Sequence, residues 1–122
     1  MSLAAFVYFN GRCSEALEFY KNVFNGSYDI QMKQGDKVAY AKFTAPGIAF
    51  EAADGSSTSP VNPDEGNFSL SLNVPDAERA AKLVKSLAEG GTIAHEFGDV
   101  EWGGKFGAVH DRFGIEWYVT AP

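Results

Sequence analysis

The spacing of apolar positions changes repeatedly between two and 3.6 residues along the chain, the mark of strands and helices in alternation. Residues 3–9 (LAAFVYF) are apolar throughout and run into Asn10-Gly11, which predicts a short strand and a turn. Over residues 13–24, Ala16, Leu17, Phe19, Tyr20, Val23 and Phe24 fall on one stripe, with Gly26 just beyond. That spacing predicts an amphipathic helix stopped by a glycine. Strands are expected near 27–33, 37–44 and 47–53, divided by Gln34-Gly35-Asp36 and Ala45-Pro46-Gly47. The stretch 54–66 (DGSSTSPVNPDEG) has no apolar face and predicts a linker.

The same order then returns. Residues 67–74 (NFSLSLNV) alternate apolar and polar, as a strand with one buried face does. Pro75-Asp76 opens a helix at about 76–89, with Ala77, Ala80, Ala81, Val84, Leu87 and Ala88 inward and Gly90-Gly91 ending it. Strands near 92–98, 104–111 and 114–120 complete the half. A shift of 64 residues lays Phe6 on Leu70, Ala16 on Ala80, Val23 on Leu87 and Gly26 on Gly90; a shift of 67 lays Gly47-Ile48 on Gly114-Ile115. The chain therefore reads as an internal repeat of a β-α-β-β-β unit. One module covers about 3–53 and the other about 67–120, within a single domain spanning residues 1–122. The fold class is α+β, with the paired modules forming a curved mixed sheet, helices outside and a concave pocket.

Alternation assigns the faces. Phe68, Leu70, Leu72 and Val74 are expected against the second helix, leaving Ser69, Ser71 and Asn73 for the pocket. In the last strand Ile115, Trp117 and Val119 face the helix, leaving Glu116, Tyr118 and Thr120; by the repeat, Ala49, Glu51 and Ala53 face the pocket. For the first strand the reading places Ala5, Val7 and Phe9 in the pocket and Phe6 and Tyr8 on the helix.

Composition narrows the function. Ten Lys and Arg against 16 Asp and Glu give a net charge of −6, so there is no positive excess to displace counterions from a nucleic acid. No apolar run approaches the ~20 residues of a membrane span, and the N-terminus lacks the pattern of a secretory signal. A cytoplasmic location is expected. The single cysteine, Cys13, excludes an internal disulfide and a cysteine-rich zinc site.

Three segments carry a resemblance: F-N-G-R-C-S-E-A-L-E-F-Y-K-N-V-F at 9–24, L-A-E-G-G-T at 87–92, and W-G-G-K-F-G-A-V-H-D-R-F-G-I-E-W at 102–117. With the doubled module they make the chain resemble the vicinal-oxygen-chelate superfamily of glyoxalase I, bleomycin-resistance proteins and extradiol dioxygenases. The likeness is greatest to its PhnB-like branch, often labelled 3-demethylubiquinone-9 3-methyltransferase-like. The resemblance implies a homodimer and a small-molecule ligand. It also implies, for metal-dependent members, one ligand from the first and one from the last strand of each module. The matching positions here are Ala5, Glu51, Ser69 and Tyr118, of which only Glu51 is a strong ligand. The usual divalent-metal site is therefore expected to be absent, and no other cofactor is expected. No Gly-rich nucleotide-binding unit supports the methyltransferase label.

Glu51 stands in an apolar run (GIAFEAA), where burial suits a general base, or else a carboxylate hydrogen-bonded to Tyr118 or Ser69. Tyr118 is its counterpart in the repeat and a candidate donor to a bound oxygen. Ser69, Ser71, Trp102, Phe106 and Phe9 are the candidate pocket lining. Cys13, at a helix start beside Arg12, reads as a packing residue before a nucleophile. His95 and His110 show no carboxylate partner at ligand spacing and read as surface or hydrogen-bonded residues, with a site joining Glu51 to His110 as the exception. Gly103-Gly104-Lys105 precedes a strand and lacks the rest of a phosphate loop. The leading reading is a metal-independent small-molecule-binding protein. The alternatives are an enzyme on a small oxygenated substrate with Glu51 as base, a metal-dependent glyoxalase or dioxygenase under a different ligand register, and a structural interaction domain.

Overall fold

The computed structural model describes all residues, Met1–Pro122. The chain divides into two compact units, Met1–Pro60 and Val61–Pro122. The first holds β1 (Phe6–Tyr8), α1 (Cys13–Phe24), β2 (Ser27–Gln34), β3 (Lys37–Ala45) and β4 (Ile48–Ala53). The second repeats the order with β5 (Leu70–Asn73), α2 (Ala77–Ala88), β6 (Thr92–Asp99), β7 (Lys105–His110) and β8 (Glu116–Ala121). Each unit closes its own four-stranded sheet, in the orders β1-β4-β3-β2 and β5-β8-β7-β6. β1 runs parallel to β4 and β5 parallel to β8, while the other neighbours are antiparallel. The expected α+β class and β-α-β-β-β modules are the observed ones.

α1 buries Cys13, Ala16, Leu17, Tyr20 and Phe24. Its core is aromatic: Tyr20 meets Phe43 and Phe50 edge-on, and those two rings stack 4.9 Å apart. α2 buries Ala80, Leu83, Val84 and Leu87 against its own sheet. The two helices end differently. In α1 the left-handed residue is Asn25, and Gly26 is required because a Cβ there would lie 2.6 Å from the Thr44 carbonyl oxygen. In α2 the glycine itself takes the left-handed conformation, Gly90 at φ +78°.

α1 has no side-chain cap of its own at Arg12. The cap comes from 41 residues further along: Asp54, 6% exposed, accepts the Cys13 N–H at 2.8 Å and the Val38 N–H at 2.7 Å. A carboxylate at that end of a helix also meets the positive pole of its dipole. The stretch expected as a free linker thus begins with a buried tie, and Pro63–Glu65 within it forms a short 3-10 turn.

The expected face of the first strand is corrected. Val7 and Phe9 are the buried pair, and Phe9 packs against Tyr20 of α1. Phe6 and Tyr8 lie on the face turned away from the helix and remain exposed. Phe9 is therefore a core residue and lines no pocket. Phe68 is corrected too: it precedes β5 and is exposed rather than packed on α2.

Candidate functional site

The far face of each sheet, the one turned away from its helix, is fixed by alternation. In the second unit Trp117 and Val119 are buried on the helix side, so Glu116, Tyr118 and Thr120 point the other way. Cross-strand register adds His110 opposite Glu116, Ala108 opposite Tyr118 and Phe106 opposite Thr120. On the other side of β8, Ser71 stands opposite Tyr118. The structure thus brings Ser69, Ser71, Phe106 and Tyr118, four of the residues singled out from the sequence, onto one face.

That face has an apolar half and a polar half. Phe106 meets Tyr118 edge-on at 5.1 Å and Trp102 at 6.0 Å, and His95 lies edge-on to Phe106 at 5.1 Å. Trp102 leaves 75% of its surface exposed at the end of this run. In the polar half Ser69 donates to Glu116 Oε1, and His110 Nε2 lies 2.7 Å from Glu116 Oε2. The Ser69 hydroxyl, with smaller contributions from His110 and Tyr118, holds the Glu116 carboxyl below the usual carboxylate range, against the desolvation that works the other way. Glu116 is the ionised centre of this cluster.

His110 is where the sequence reading changes most. It was expected to lack a carboxylate partner, and it has one across the β7–β8 hairpin. The signal lay in the spacing His110…Glu116 around Asp111-Arg112-Phe113-Gly114-Ile115, which pairs the two once that segment is read as a turn. Beside its ring contact with Phe106, His95 has its Nδ1 2.8 Å from the Glu96 carbonyl oxygen.

In the first unit the far face carries Phe6, Tyr8, Tyr40 and Glu51. Phe6 packs against Tyr8 at 5.0 Å and stacks on Tyr40 at 6.0 Å, nearly parallel. The Tyr40 hydroxyl donates to Glu51 Oε1 at 2.6 Å, and that bond raises the phenol's pKa. Glu51 thus has a hydrogen-bond partner, Tyr40, within its own unit. Lys42 stands opposite Glu51 just as His110 stands opposite Glu116.

Register also places the first strand of each unit beside its carboxylate. β1 sets Phe6 opposite Glu51, and β5, with Leu70 opposite Trp117, sets Ser69 beside Glu116. Glu51 and Tyr118 each stand four residues beyond a left-handed turn glycine, Gly47 and Gly114. The four positions that the resemblance matches to metal ligands, Ala5, Glu51, Ser69 and Tyr118, hold one carboxylate, and it is already engaged with Tyr40. No group of three or more His, Cys, Asp or Glu is placed so that it could hold a metal ion. The residues present do not fit the divalent metal of the metal-dependent relatives.

Cys13 is fully buried, and burial first, then the Asp54 charge, pushes its thiol up to about 12. It is a packing residue. No helix is long and apolar enough to cross a membrane.

The architecture has solved relatives. Protein PA1353 from Pseudomonas aeruginosa superposes with a TM-score of 0.85 at 29% identity, over 99% of this chain and 97% of its own. A putative 3-demethylubiquinone-9 3-methyltransferase, PhnB protein, from Bacillus cereus matches over 100% of both chains, with a TM-score of 0.79 and 24% identity. A member of the glyoxalase/bleomycin resistance protein/dioxygenase superfamily from Sphaerobacter thermophilus gives a TM-score of 0.67 at 17% identity, over 100% of this chain and 98% of its own. No curated protein matches the chain. The sequence profile of the same superfamily matches residues 2–119, which takes in both modules from β1 almost to the end of β8. On that match and that shared architecture, the chain belongs to the glyoxalase/bleomycin resistance protein/dioxygenase superfamily.

Proposed function

We propose that this chain is a metal-independent small-molecule-binding protein of the superfamily's PhnB-like kind, holding a flat, largely apolar compound on the far face of its second sheet. The observation that carries the reading is the Trp102–Phe106–Tyr118 run of edge-on rings ending at an indole with 75% of its surface exposed, beside the hydrogen-bonded carboxylate of Glu116. Rings at these spacings offer offset and edge-to-face contacts to a further ring, each pair contributing about 0.5–1.5 kcal/mol beyond area burial. Ser71 and Tyr118 supply the few polar contacts that orient a ligand on an apolar floor. A homodimer in the cytoplasm completes the proposal and follows the resemblance.

Tryptophan fluorescence tests it. Trp117 is buried and Trp102 is exposed, so a ligand on this face changes chiefly the Trp102 signal. A saturable change with at least one member of a panel of flat aromatic compounds is expected in the native protein, and its loss in Trp102→Phe. An unresponsive spectrum across the panel would remove the proposal.

A further inference from the structure

The hydrogen bonds around Glu116 determine which nitrogen of His110 is available. An ionised carboxylate only accepts, so the 2.7 Å contact makes Nε2 the donor and places the proton of the neutral ring there. Nδ1 then presents a lone pair. The nearest acidic group to it, Asp64 Oδ1, is 3.9 Å away, beyond hydrogen-bond reach, on a side chain 81% exposed. The His110 side chain is 17% exposed, so the ring stands at the margin of the site and not in the core. Ser69 holds the other oxygen of Glu116, so the carboxylate that orients the imidazole is itself held in place.

We infer that His110, oriented by Glu116, accepts through Nδ1 the proton of an acidic hydroxyl on a flat aromatic ligand, which this face then binds as its anion. The inference rests on the proposed binding face and names its ligand class, an acidic phenol or enol. The ligand's O–H bond breaks and its electron pair stays on oxygen; the Nδ1 lone pair forms the new N–H bond. No other reactant takes part. The imidazolium so formed lies between Glu116 on β8 and Asp64 on the 3-10 turn, the charged groups that face it, and bonds the new oxyanion on the Nδ1 side. The ring of the ligand lies toward Tyr118, diagonal to His110 across the β7–β8 pair. Glu116 is a positioning residue in this scheme, and so is Ser69.

The probe is 4-nitrophenol, with 4-nitroanisole, the same ring without the acidic proton, as its partner. Both are titrated into the full-length protein at a pH below the phenol's own pKa, reading Trp102 quenching for occupancy and the visible nitrophenolate band for proton transfer. The expected result is quenching by both, a nitrophenolate band with the phenol, and about tenfold tighter binding of the phenol. In His110→Gln the ratio of the two affinities falls to near one and the band disappears. In Glu116→Gln, a second variant at a different residue, the band shifts to higher pH. Quenching without the band in the native protein, or a band unchanged in His110→Gln, overturns the proton-acceptor role and leaves the binding face standing. Absence of quenching by either compound overturns the inference together with the face on which it rests.

Discussion

The thiol of Cys13 has no exposed surface, and its pKa near 12 keeps it protonated at any physiological pH. Only the thiolate attacks an electrophile. Ellman's reagent should therefore leave the native protein unlabelled at pH 8 and label it stoichiometrically in denaturant; prompt labelling of the folded chain would show that the head of α1 opens. Glu116 makes a prediction with the opposite dependence. Its folded carboxyl titrates below the ordinary glutamate value of about 4.3. As pH falls the unfolded chain takes up the proton first, so this contribution is complete above that value and is lost as pH drops through the folded pKa. Glu116→Gln should flatten the acid limb of stability against pH, measured as urea midpoints at successive pH values. A limb of unchanged slope would mean that Ser69 and His110 do not act on it as described. Both residues were open to reading from sequence to different degrees. Cys13 falls on the apolar stripe of a helix. Glu116 and His110 meet only through a hairpin register, and no local pattern specifies that register.

Two buried aspartates hold the irregular parts of the two sheets. Asp54 caps α1 and ties it to β3, while Asp111 accepts the backbone N–H groups of Phe113 and Ile115 and the indole N–H of Trp117. The Asp-x-Phe-Gly element that marks the family resemblance is thus a turn former. Its Gly114 is at φ +85°, and a Cβ there would lie 2.6 Å from that of Val61. Asp111→Ala strands three buried donors at about 1 kcal/mol or more each, a loss of about 3 kcal/mol. Urea unfolding should show it as a lower midpoint at constant slope. The exposed Arg12–Glu15 pair is the contrast, and Glu15→Ala should stay within about 0.5 kcal/mol of the native protein. At this scale the sequence was legible wherever polar residues punctuate the apolar ones. α1 runs over the expected 13–24, and NFSLSLNV shows its faces by alternation. LAAFVYF is apolar at every position, so its period of two has no visible phase, and the face assigned to Phe6 and Phe9 came out reversed. Register with β4 settles it: Phe6 lies opposite Glu51, and the helix side belongs to Val7.

For the whole molecule, the repeat is regular in its elements and irregular in its chemistry. Glu51 and Glu116 each stand beside a hydrogen-bond donor on the far face of their own sheet, but the strand next to them contributes Phe6 in one unit and Ser69 in the other. Zinc or nickel takes nitrogen, sulfur or several carboxylate donors at bonding distance, and neither a phenyl ring nor a neutral hydroxyl replaces them. The two turn glycines give a shift of 67 residues, whereas parallel partners are 45 residues apart in the first unit (Phe6 and Glu51) and 47 in the second (Leu70 and Trp117), so no single shift fits every strand. Native mass spectrometry after incubation with Ni²⁺, Zn²⁺ and Mn²⁺ should therefore show the proposed dimer with no metal retained through buffer exchange. Stoichiometric metal on the native chain would refute the donor argument and restore metal chemistry.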